Sequence, residues 1–183
     1  MRKMNACDLK SEMRMLWEEH VAWTRMTIIS IAANLPDRDF VIQRLLRNPT
    51  DMANVLQPFY GPDVAAKFVR LFTEHLTTAT ELVQAAKAGD TAKAVDVRKR
   101  WYANADQIAL FLSRINPFWS QIGWRALLYD HLAMTEAEAV YRLQKKYAED
   151  IAEYDQIEQQ ALVMADVLTN GIIEQFPGGF MGY

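Results

Sequence analysis

Between Pro62 and Pro177 the chain carries a single proline, Pro117. A stretch with so few breakers favours long helices, because strand architectures reverse direction every 8–12 residues or so and need turn residues to do it. Seven glycines and six prolines in 183 residues are too few for a sandwich or barrel. The apolar residues agree: Leu9, Met13, Leu16, His20, Trp23, Thr27 and Ile31 recur at helical spacing over 8–34. A second such stripe, Val64, Phe68, Leu71, His75, Thr78, Leu82 and Ala85, follows Pro62. A third, Ala94, Val97, Trp101, Asn104, Ile108, Phe111 and Ile115, follows Asp90.

The prolines mark the expected helix ends. Pro36 stops the first helix, and Asp37 caps a short one to Arg47. Asn48-Pro49 reads as a cap followed by a first helical residue, starting another short helix to about Gln57. Together these form a connector over about residues 37–58. Helices are then predicted over 62–88 and 90–115, and Asn116-Pro117 repeats the cap-plus-proline signal. An unbroken helix of about 58 residues beyond Pro117 would be about 87 Å long, so it must fold back. Thr135-x-x-Glu138 offers one break point as a capping box. Gln144-Lys145-Lys146 offers another, and it is preferred because it yields helices of matched length. The predicted fold is all-α: an up-and-down helical bundle of four to five long helices with a short two-helix connector. Residues 1–176 form one domain, and 177–183 a flexible C-terminal tail.

Composition narrows the function. A net charge of −3 and a pI near 5.6 argue against a binder of nucleic acid driven by phosphate contacts. The single cysteine, Cys7, excludes an internal disulfide framework and a cysteine-rich metal site. No charge-free stretch approaches the roughly 20 apolar residues of a membrane span. No signal-peptide core is present, so a cytoplasmic protein is expected. Gly-rich phosphate loops, a serine nucleophile elbow and the dinucleotide fingerprint are all missing.

The three histidines are the one constellation left. Their contexts rhyme: Glu18-Glu19-His20-Val21, Thr73-Glu74-His75-Leu76 and Tyr129-Asp130-His131-Leu132. They stand 55 and 56 residues apart, a trace of a repeated helical unit in which little else aligns. Each lies on an apolar stripe near the middle of its helix, so three imidazoles from three helices share one level of the bundle. Such a set suits a divalent transition metal: Zn, Fe, Mn, Ni or Cu. Glu158 is the preferred fourth ligand, near the stripe of the last helix. Asn104, Trp101, Trp23, Asp155, Thr24 and Thr135 are candidate neighbours or pocket residues. The alternatives are core histidines in a non-enzymatic binding or interaction protein, a homodimeric bundle, or a small-molecule or haem binder.

Several phrases resemble an uncharacterised bacterial family of small all-helical proteins: Leu16-Trp17-Glu18-Glu19-His20-Val21-Ala22-Trp23-Thr24-Arg25, Leu45-Leu46-Arg47-Asn48-Pro49, Phe59-Tyr60-Gly61, Trp101-Tyr102-Ala103-Asn104-Ala105-Asp106 and Asn116-Pro117-Phe118-Trp119. The resemblance brings no activity with it. More distantly the layout resembles DinB-like and ferritin-like metal-binding bundles, and the former hold a metal with three histidines. This chain departs from their pattern: no two of its histidines are spaced i, i+4, and it has no Glu-x-x-His pair.

Overall fold

The structure, a computed structural model, describes residues 5–180. Six helices carry the chain: α1 (Ala6–Ala33), α2 (Arg38–Tyr60), α3 (Pro62–Ala88), α4 (Thr91–Ile115), α5 (Gln121–Leu143) and α6 (Tyr147–Gln175). Among the described residues there is no strand, and no helix is long and apolar enough to cross a membrane.

The predicted connector is a full-length helix. Helix α2 runs through both Asn48-Pro49 and Pro58. Pro49 removes one backbone hydrogen bond, at a typical cost of about 3 kcal/mol. In return, Val41, Leu45, Met52, Ala53 and Leu56 bury as one continuous stripe. Asn48 caps nothing; its side chain reaches across to α1. The Asn116-Pro117 signal also fails as a helix start. Asn116 Oδ1 accepts from Phe118 N at 2.8 Å in a local turn. The helix begins at Gln121, where the Ser120 hydroxyl accepts from Gly123 N at 3.2 Å. The break between the last two helices lies at 144–146, and Thr135 and Glu138 are buried within α5. At the chain's end, Pro177–Gly179 form a 3-10 turn and Phe180 stacks on Phe59 with ring centroids 5.7 Å apart. That apolar contact holds the first part of the predicted tail. The rest of the tail, 181–183, and residues 1–4 lie outside the described residues.

Each helix packs on the next in the chain, and α6 returns to α1, closing a ring of neighbours. Helix α1 also meets α3 and α5 across the interior. The ring consists of three helical hairpins, α1–α2, α3–α4 and α5–α6, whose turns are built alike. Asn34, Gly89 and Lys145 all take left-handed backbone conformations, with φ of 52°, 72° and 60°. In each turn the next residue donates back five positions: Leu35 N to Ser30 O, Asp90 N to Ala85 O and Lys146 N to Tyr141 O, at 2.9–3.1 Å. This is the Schellman closure. Each left-handed residue stands fourteen positions beyond the histidine of its own hairpin.

The second helices repeat as well. Asn48, Met52, Ala53 and Leu56 align with Asn104, Ile108, Ala109 and Leu112, and with Gln160, Met164, Ala165 and Leu168. Every one of these apolar residues is buried. The chain is therefore a threefold internal repeat with a period of 55–56 residues. The hairpins differ where Arg25 of α1 binds the buried carboxylates of Glu138 (2.6 Å) and Asp150 (2.8 Å), a pairing unique to the α1–α5–α6 side among the described residues.

Candidate functional site

The repeat carries His20, His75 and His131 inward on α1, α3 and α5, at one level. All three are at least 96% buried. The His20 ring lies 5.6 Å from that of His131 and 6.5 Å from that of His75, centroid to centroid. The convergence expected from the sequence is present.

The second helix of each hairpin carries a carboxamide at the matching position, and in one hairpin it bonds the histidine ring. Asn104 Nδ2 donates to Leu71 O at 3.1 Å, which turns Oδ1 toward His75 Nδ1 at 3.2 Å. A carbonyl oxygen only accepts, so Nδ1 of His75 carries the proton and Nε2 keeps its lone pair. The other hairpins repeat the anchor: Asn48 Nδ2 donates to Leu16 O at 2.9 Å, and Gln160 Nε2 to Leu127 O at 2.8 Å. In every case the accepting carbonyl sits four residues before the histidine. Nδ1 of His20 and of His131 form no hydrogen bond of standard geometry, and Gln160 Oε1 is likewise buried without one. The nearby Asn48 and Gln160 amides oppose, without reversing, the effect of burial on His20 and His131.

Burial governs the charge state. It holds His20 well below the ordinary imidazole range, with the two neighbouring rings adding to the effect. Burial pulls His75 down to about 3, against the opposing bond from Asn104, and His131 down to about 4. The cluster is neutral at physiological pH, the form in which imidazole binds metals.

The sequence named Asn104, and its place beside His75 follows that reading. Trp101 packs on His75 at 5.5 Å. Thr24 and Thr135 are buried one turn beyond His20 and His131. Trp23 is elsewhere, under the Arg44 guanidinium at 4.9 Å, and Asp155 is exposed on α6. Glu158 is not a fourth ligand here. It lies two residues from Gln160, about 200° around the helix, and so turns away from His131. It meets Glu18 instead, whose carboxyl is pushed up to about 7 by burial and by this neighbour. Asn48 and Gln160 went unnoticed in the sequence. Their signal was the fifty-six-residue spacing of 48, 104 and 160, hidden because one member is a glutamine and another precedes a proline.

Two imidazoles on one tetrahedral ion would place their centroids about 5 Å apart, given metal–nitrogen bonds near 2.1 Å. The His20–His131 pair is close to that spacing, and His75 stands about 1 Å further out. Among the described residues no group of three His, Cys, Asp or Glu is already drawn together tightly enough to hold an ion.

Along the interior axis the histidine level divides two regions. Toward the N-terminal ends of α1, α3 and α5 it is filled by Met13, Phe68, Trp124, Trp17, Phe72 and Leu128, all buried. Toward the hairpin turns the equivalent positions are smaller, and a cavity of about 200 Å³ opens among Thr24, Ile28, Ala79, Val83, Thr135 and Ala139, with Trp101 also in its wall. No family model, no curated protein and no solved structure matches this chain.

Proposed function

We propose that this is a metal-binding helical protein that holds one divalent transition metal through Nε2 of His20, His75 and His131. The observation that carries the reading is the convergence of three buried imidazoles, one of them held at Nδ1 by a carboxamide. Each hairpin supplies an imidazole and an amide anchored to the carbonyl four residues before it. At His75 that amide fixes the tautomer and orients the ring, as is usual for ligands of metal ions. The cluster's neutrality removes the proton competition that otherwise weakens ligation. Imidazole donors suit Zn, Cu, Fe or Ni. A bound ion would supply a Lewis acid facing the axial cavity, which is the basis for a metal-dependent enzyme.

Elemental analysis of protein purified without a histidine tag tests this. One metal ion per chain is expected, falling to background in His75→Ala and in His131→Gln. Sub-stoichiometric metal that is indifferent to both changes would overturn it.

A metal-free core is the competing reading, favoured by one observation. His20 and His75 lie with their planes only 27° apart, an arrangement of stacked neutral rings. It predicts a protein whose stability is unmoved by any of these metals.

A further inference from the structure

The axial cavity is built rather than left over. At the position four residues past each histidine stand Thr24, Ala79 and Thr135, and at eight past stand Ile28, Val83 and Ala139. All six line the cavity. Ile28, Val83 and Ala139 pack into a small cluster separate from the main core. Thr24 disposes of its hydroxyl by donating to His20 O at 2.7 Å. Thr135, its repeat equivalent, is 96% buried, and its Oγ1 has no partner. A buried hydroxyl without a partner typically costs stability, and this one sits in the cavity wall. An apolar chamber with one unpaired hydroxyl has the character of a ligand site. Its volume exceeds the roughly 150 Å³ cavity known to take benzene, so one ring with a substituent fits.

We propose that this cavity binds one small hydrophobic molecule bearing a single oxygen, such as an alkylphenol, with the oxygen on Thr135 Oγ1 and the body among Ile28, Val83 and Ala139. Ion pairing plays no part in the recognition, because no charged side chain stands in the inner wall. Arg98 and Glu136 reach the lining, but they bond each other at 2.9 Å and are partly exposed. The site does not depend on a metal.

The test is a titration of the metal-free full-length chain with p-cresol and with toluene, read by calorimetry and by Trp101-dependent fluorescence. Both probes are expected to bind one per chain. Thr135→Val should weaken p-cresol about five- to ten-fold, the worth of one hydrogen bond, and leave toluene unchanged or tighter. Ala139→Phe should abolish both while helicity persists. Absence of saturable binding to the wild-type chain would overturn the proposal, as would binding only after metal is added. Equal loss of both probes in Thr135→Val would overturn the role of the hydroxyl. Because no metal is present, failure here is distinct from failure of the three-histidine reading.

Discussion

At the scale of single residues, the three imidazoles set the protein's response to acid. A histidine kept neutral by burial takes up its proton only on unfolding, so it draws the chain toward the unfolded state as pH falls through about 6.5. For His75 and His131 this continues down to about 3 and about 4. Glu138 runs the other way. Burial raises its carboxyl to about 7, against the opposing pull of Arg25, so it gains a proton on folding and favours the folded state as pH falls from 7 toward 4.5. Glu18 has the same sign but is far less buried, and it counts for little. Three protons against about one leave a net of about two. The unfolding free energy should be nearly level close to neutrality and fall by about 2–3 kcal/mol between pH 6 and pH 5. Urea denaturation at pH 7, 6 and 5 checks this, and a flat profile would refute the neutral cluster. The histidines themselves were legible in the sequence because a polar residue on an apolar stripe stands out. Glu158 misled because its proximity to a stripe was judged without its partner helix. Only tertiary packing shows that Gln160 holds the inward face of α6 while Glu158 meets Glu18.

At the scale of elements, the three hairpin turns share one geometry but not one residue. Gly89 suits its left-handed conformation, Asn34 tolerates it, and Lys145 does not. Lys145→Gly should therefore raise stability by about 1 kcal/mol, read as a higher denaturation midpoint with no change in the slope. Helix α6 has the opposite sensitivity at Gly171. A Cβ there would meet Trp119 Nε1 at 2.0 Å and Cδ1 at 2.5 Å. Gly171→Ala should cost about 3 kcal/mol, visible as a large drop in melting temperature. The break between α5 and α6 was predictable from polar residues and length matching. Helix α2 was not, because Pro49 and Pro58 are strong local stop signals. The burial of residues on both sides of them overrides those signals, and burial is set by neighbours distant in the chain.

At the scale of the whole molecule, the threefold repeat explains what one helix or one histidine does not. Each hairpin delivers an imidazole, a carboxamide and a left-handed turn at matched positions, so closing the ring brings three equivalent sets to one axis. The repeat was faintly legible in the spacing of the histidines. The rest of it was not, because Met, Ile and Leu interchange freely in a packed interior, and so did Asn and Gln at the anchor. Large residues fill one side of the histidine level and small ones line the other, which gives the axis a direction. The central claim is that the three rings act as one site with a common tautomer. Long-range nitrogen–proton NMR of the imidazoles, recorded while zinc is added to metal-free protein, tests it most directly. All three rings should begin protonated at Nδ1, and all three Nε2 resonances should move together and stop at one equivalent of zinc. Rings with mixed tautomers, or Nε2 signals that stay fixed or move one at a time, would contradict it.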